Sequence, residues 1–151
     1  MADETVTHHW RPSPYPRCIA IGLIKDNGRL LCAEVTCDDG GIKGYRPLGG
    51  GIEIGETAAD ALAREFKEEV RAEVKVGPRR AVLENIFQHE GALGHEIVFV
   101  HEAVVIRPGL IQPKRFLLEE AGRVTALDWV PLDSFKSGQA VLFPDGVLAL
   151  L

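Results

Sequence analysis

Residues 50–72 read GGIEIGETAADALAREFKEEVRA, and the reading of this stretch decides the rest. A glycine turn leads into an amphipathic helix carrying Arg64, Glu65, Glu68 and Glu69. At about 100° per residue, Glu68 falls roughly 60° to one side of Glu65 and Glu69 roughly 40° to the other, so the carboxylates share about a third of the circumference. Leu62, Phe66 and Val70 follow at i+4 steps on the neighbouring flank, the stripe that packs on a protein body. The acidic patch therefore lies beside the packing seam. Crowded like charges repel, and the common resolution is a hard divalent cation held by oxygen. Glutamate is also a good helix former, and a KEE run by itself is often only a wet surface.

The flanks tilt this balance toward a site. Leu48-Gly49-Gly50-Gly51-Ile52 is too glycine-rich for an ordinary strand, and bare backbone suits close approach to a metal or phosphate. Glu56 precedes the helix directly, and Thr57 with Asp60 makes a capping-box-like start. Arg64 and Glu68 are i,i+4 partners, so the arginine can neutralise and orient the cluster.

Taken together, these residues resemble the box of the Nudix hydrolases. Gly50 is followed by five residues, Glu56, seven residues and then Arg64-Glu65-Phe66-Lys67-Glu68-Glu69-Val70. The chain departs from the family pattern at Arg71, where Gly is usual, and at Ala72, where a larger aliphatic is usual. The Gly is a helix C-cap, so its loss bears on the helix exit and leaves the carboxylates intact. The resemblance implies an α+β fold, an α/β/α sandwich around a mixed, curved β-sheet. It implies Mg²⁺ or Mn²⁺ held by Glu65, Glu68, Glu69 and the Gly50 carbonyl, with Glu56 and Arg64 positioning those ligands. It further implies water attack on a pyrophosphate linkage in a nucleoside diphosphate joined to another moiety. A nucleotide sugar, an ADP-ribose-like compound, a dinucleoside polyphosphate or a nucleoside triphosphate would each qualify. The general base would be a box glutamate or a later carboxylate, with Glu120 first, Glu96 second and Glu68 as the box candidate. Glu119 and Glu102 are neighbouring possibilities. The competing reading is a silent nucleotide-binding module on the same fold, for which Arg71 is the support. A third reading is a structural protein with a charged helix.

The whole chain bounds these readings. At 151 residues it is long enough for one domain with a real core, expected over residues 16–151 behind an irregular lead-in at 1–15. Net charge is -5 and no Lys/Arg stripe extends beyond Arg79-Arg80, which argues against duplex nucleic acid as a partner. A small phosphorylated ligand remains compatible, because a bound cation supplies the positive charge. Cys18, Cys32 and Cys37 form no C-x-x-C, and Cys18 and Cys32 fall in strand-like runs expected to bury them. With no apolar signal core or long apolar run, the expectation is a cytoplasmic protein that does not enter membranes. His8-His9 lacks a companion carboxylate at useful spacing and reads as a frayed terminus. The apolar tail from Gly138 to Leu151 reads as a docked terminal helix, and a homodimer is compatible with it.

The elements expected along the chain are these. Cys18–Lys25 and Arg29–Thr36 form a hairpin through Asp26-Asn27-Gly28. Short strands at 44–48 and 51–54 flank the glycines, and Thr57–Arg71 is the helix. One or two strands cover 72–87, interrupted at Gly77-Pro78, and a long strand covers 95–106. Residues 108–118 are loop, 125–130 strand, and short helices start at 131 and 145. No βαβ repeat and no G-K-[ST] appear, which excludes a Rossmann or Walker arrangement.

Substrate choice is not written in the motif. Position 88 is Gln where ADP-ribose-cleaving branches carry Pro, and His89-Glu90 stand where dinucleoside-polyphosphate branches carry Tyr. Tyr15, Tyr45, Phe87, Phe116 and Trp129 are candidate base-stacking aromatics. Trp10 stands too near the terminus to hold a base unaided.

Overall fold

The computed structural model describes residues 9–120 and 122–151, with the backbone alone at Glu120, so His8 lies outside the described residues. Among the described residues, nine strands and two α-helices follow one another as β1 (Arg17–Leu23), β2 (Lys25–Asp26), β3 (Arg29–Thr36), β4 (Ile42–Pro47), β5 (Gly49–Gly51), α1 (Ala58–Val70), β6 (Glu73–His89), β7 (Ala92–Arg107), β8 (Phe116–Glu120), β9 (Arg123–Pro131) and α2 (Leu132–Lys136). A 3₁₀ turn at Leu148–Leu150 stands where a terminal α-helix was expected.

The strands divide into two sheets. The first runs β5-β1-β7-β6 and is mixed, because β1 pairs β7 in parallel and the other pairs are antiparallel. The second holds β2, β3, β4, β8 and β9, all antiparallel. Alternation along each strand feeds two cores. Ala20 and Leu31 join Leu62, Phe66 and Val70 under α1. Ile19, Ile21, Leu23, Leu30 and Cys32 join Phe135, Leu142 and Val147 on the other side. The strands thus form the central layer, with α1 over one face and α2 plus the docked C-terminal segment over the other. Full burial of Leu62, Phe66 and Val70 contributes roughly 1.5–3 kcal/mol each, which fixes how α1 is rolled on the sheet.

Several expectations need correction. The Asn27-Gly28 turn forms with both residues at positive φ, but its ladder is only β2 on β3. β1 leaves that partner to pair β5 and β7. Gly49–Gly51, read as too glycine-rich for an ordinary strand, is the edge strand β5 on β1, and the strand expected at 51–54 ends at Gly51. A Cβ at Gly49 would stand 1.9 Å from the Ala20 carbonyl oxygen, so the pairing depends on a bare backbone. Gly77-Pro78 shifts the register between Val76 and Arg79 without ending β6, as a bulge does. Residues 116–118 belong to β8, not to a loop, and Glu119 and Glu120 continue it into the hairpin with β9. Cys18 is exposed and only Cys32 is buried.

The helix ends explain themselves. Thr57 accepts a hydrogen bond from the Asp60 N–H at 3.1 Å. At the other end Arg71 takes the left-handed conformation at φ 54°, and its N–H reaches the Lys67 carbonyl at 3.1 Å while Ala72 reaches Phe66 at 3.2 Å. The backbone completes an αL-type helix exit, with the Arg71 N–H on the Lys67 carbonyl, without glycine.

A left-handed L-residue costs about 1–2 kcal/mol, of which glycine's larger unfolded-state freedom returns about 0.4–1. Arg71→Gly should therefore raise stability by about 0.5–1 kcal/mol, read as a Tm higher by a few degrees, with kcat unchanged. A lower Tm would show that the Arg71 side chain carries a contact the fold needs.

Candidate active site

Helical side chains lean toward the N-terminus, so Arg64 points back at the residues preceding α1. It forks onto Glu56, Nε to Oε2 at 2.7 Å and Nη2 to Oε1 at 2.8 Å. Nη2 also donates to the Gly51 carbonyl at 2.9 Å, and Nη1 to Glu65 at 3.0 Å and Glu68 at 3.2 Å. One guanidinium thus ties the glycine strand, the pre-helix carboxylate and two helix carboxylates together. Glu56 in turn accepts from the Glu53 N–H at 2.9 Å. The Arg64 bonds and that N–H hold the Glu56 carboxyl down to about 2, and the same contact raises Arg64 further. The i,i+4 pairing with Glu68 read from the sequence is present, but Glu56 is the stronger partner. Glu68 is largely exposed, and an exposed pair contributes little.

Glu65 is pressed against bare backbone. A Cβ at Gly50 would lie 2.3 Å from its carboxyl carbon, so glycine at 50 is what admits the carboxylate. Glu69 is exposed and lines a cleft with Leu48, Gly49, Arg46, Leu118, Arg123 and Trp10. The chain passes from the second sheet to the first between β4 and β5, and this half of the cleft, about 380 Å³, opens at that crossing. A second half of about 450 Å³ continues past Trp10, Arg46 and Arg123 to Phe87, His89, Glu96 and Phe143.

The remaining expected residues sort themselves as follows. Glu96 lines the far half of the cleft and pairs in register with Arg17. Glu102 is tied to Arg80 and, at 3.7 Å, to Lys25. Glu120 ends β8 opposite Arg123, and its side chain lies outside the described residues. Of the aromatics, Phe87 lines the cleft. Tyr45 is packed edge-on against Phe135, Phe116 lies against the first core, Trp129 donates to the Gln112 carbonyl and Tyr15 is exposed.

Among the described residues, Asp38, His89 and Glu90 form a group whose ligand atoms all lie within 4.8 Å and that could hold a divalent cation. No reading of the sequence found it, because 52 positions part Asp38 from Glu90 and no spacing motif spans them. The Glu90 side chain accepts from the Asp38 N–H at 3.1 Å, and burial lowers the His89 imidazole's affinity for a proton. Arg11 already engages both Asp38 oxygens, which places a protein cation where a metal would sit. The box residues offer a different set: carboxylate and carbonyl oxygens only, the hard donors that Mg²⁺ and Mn²⁺ prefer.

A model of the NUDIX domain matches residues 14–151. The chain belongs to the NUDIX domain family. Curated relatives include a nucleoside triphosphatase NudI from Enterobacter sp. (strain 638), 38% identical over 61 residues, which are 40% of this chain and 43% of that protein. Another NudI, from Klebsiella pneumoniae subsp. pneumoniae, is 39% identical over 54 residues, 36% of this chain and 39% of that protein. The chain thus spans less than half the length of these relatives. Among solved structures, a NUDIX hydrolase from Nitrosomonas europaea aligns over 90% of this chain and 86% of its own, with TM-score 0.63 and 18% identity. A MutT NUDIX hydrolase from Burkholderia pseudomallei aligns over 79% and 85%, with TM-score 0.57 and 24% identity. These two likenesses concern the fold alone. Among the described residues no helix is long and apolar enough to cross a membrane.

A depressed carboxyl contributes stability that is present above its unfolded value of 4.5 and lost as pH falls toward about 2. The Tm of the native chain should fall through that window more steeply than that of Glu56→Gln. Parallel acid limbs in the two melting series would mean that the Arg64 fork does not hold Glu56 in solution.

Proposed function

We propose that this chain is a divalent-metal-dependent hydrolase of the pyrophosphate linkage in a nucleoside diphosphate joined to another moiety. The observation that carries the proposal is the Arg64 clamp, which gathers Glu56, Glu65, Glu68 and the Gly51 carbonyl beside a cleft lined by Glu69, Arg46 and Arg123. The names of the curated relatives put nucleoside triphosphates first among the compounds to test. Three free thiols fit the cytoplasmic setting expected from the sequence.

Glu65, Glu68, Glu69 and the Gly50 carbonyl would hold Mg²⁺ or Mn²⁺. When bound, such an ion neutralises charge developing on phosphorus and lowers the pKa of a water. Arg64 keeps Glu65 and Glu68 together and Glu56 keeps Arg64 in place, so the carboxylates are preorganised before substrate arrives. Arg46 and Arg123, both exposed to the cleft, offer planar donors to phosphate oxygens. Water attacks one phosphorus, its proton passes to a carboxylate, and the bridging oxygen leaves with the second phosphorylated fragment. We assign the proton acceptor to Glu120, with Glu96 and then Glu68 as alternatives. Glu120 is favoured by its register opposite Arg123, a cleft residue, and Glu96 by lining the cleft itself. The silent-module alternative draws on Arg71, where the helix exit is completed without glycine, and turnover in the substrate panel separates it from the hydrolase.

Nucleoside triphosphates, nucleotide sugars, ADP-ribose and dinucleoside polyphosphates, each with Mg²⁺ or Mn²⁺, form the decisive panel. Turnover of at least one is expected, and folded protein inert toward all of them would overturn the proposal. On that substrate Glu69→Gln should lower kcat by about 10²-fold or more, while metal-free stability holds or rises as repulsion is relieved. The true base among Glu120→Gln, Glu96→Gln and Glu68→Gln should lose kcat together with the acidic limb of its pH profile.

A further inference from the structure

Trp10 lies before residues 14–151, the span that the family model matches. It nevertheless lines both halves of the cleft, at the same level as Arg46 and Arg123. Toward one end stand Gly49 and Glu69, and toward the other Phe87, His89 and Phe143. Each half lies within the roughly 300–1,000 Å³ typical of small-molecule sites.

An indole so near a terminus needs anchoring to hold a ligand, and here its two chain neighbours are bound to one carboxylate. Arg11 forks onto Asp38, with Nη1 to Oδ1 at 3.0 Å, and His9 Nδ1 stands 3.4 Å from the same Oδ1. The Glu90 carboxylate fixes the Asp38 backbone N–H in turn. The Trp10 ring then lies parallel to Phe87, with centroids 6.4 Å apart and 9° between planes, and meets His89 edge-on at 5.3 Å. His89 is buried, so this end of the indole has a firm wall.

We propose that Trp10 is the stacking surface for the nucleobase of the substrate, held in place by the Arg11–Asp38 latch. The orientation of that ligand, with phosphates toward Glu69, rests on the hydrolase reading above. Aromatic faces bind bases with little preference among them, because every base presents a π-face. The flanking guanidiniums suit the charge of an adjoining phosphate. The ligand class is therefore a nucleotide, and a sugar phosphate without a base is a poor fit.

Trp129→Phe leaves Trp10 as the single indole, since the chain has two tryptophans and Trp129 lies outside both halves of the cleft. In that background, with metal chelated, AMP and GMP should quench the indole fluorescence saturably, and ribose 5-phosphate should not. On whichever nucleotide is turned over, Trp10→Ala should raise KM roughly tenfold to a hundredfold with kcat little changed, from the usual strength of base–aromatic stacking. Trp10→Phe should restore most of the loss, and Arg11→Ala should reproduce part of it. Equal quenching by ribose 5-phosphate, or an unchanged KM for Trp10→Ala during normal turnover, overturns the assignment while leaving the hydrolase intact. Base-dependent quenching in a protein that turns over no compound supports Trp10 as a base platform and sinks the hydrolase instead.

Discussion

Arg64 is the constraint on which the rest of the site depends. Three helix carboxylates and Glu56 carry like charge in a small volume, and among them stands one guanidinium with its fork on Glu56 and its remaining donors on Glu65, Glu68 and the Gly51 carbonyl. A lysine would supply the charge but not the planar fork that holds three carboxylates and a carbonyl at once. Because Gly51 belongs to β5, the same group also ties the helix to the sheet. Roll α1 by one residue and Leu62, Phe66 and Val70 leave the core as Arg64 leaves Glu56, so packing and site geometry select the same helix orientation.

The sheets supply the other half of the arrangement. β4 belongs to one sheet and β5 to the other, and Leu48 between them accepts the Gly22 N–H at 2.9 Å. The chain crosses between sheets immediately before the helix that carries the glutamates. The crossing leaves a cleft floored by Ala33 and Leu127 and edged by Arg46, Arg123 and Glu69. The acidic end and the basic rim of one groove thus come from elements distant in sequence.

What was legible in the sequence was local. Thr57 and Asp60 announce the helix start, the i+4 stripe its buried face, and Asn27-Gly28 the turn between β2 and β3, because each signal spans only a few residues. Long-range pairing was hidden. Gly49–Gly51 lacks every side-chain mark of a strand, and it becomes one only because β1 offers an edge that a Cβ would block. Residues 116–118 are short and follow prolines, so their pairing with β9 leaves little trace in pattern. Asp38, His89 and Glu90 meet because the β6–β7 hairpin carries its Glu90-Gly91 turn over to the loop after β3. Trp10 carries no local sign of its place in the cleft for the same reason: Asp38, which anchors the neighbouring Arg11, is far along the chain.

Among the described residues the Asp38 cluster brings its ligand atoms within 4.8 Å of one another, whereas the proposed divalent-cation site is the box carboxylates. Manganese titration followed by its electron spin resonance, without nucleotide, separates them directly. Glu65→Gln should weaken Mn²⁺ binding by on the order of tenfold or more, and Asp38→Asn should leave it unchanged. Binding that survives Glu65→Gln and disappears with Asp38→Asn would contradict the account.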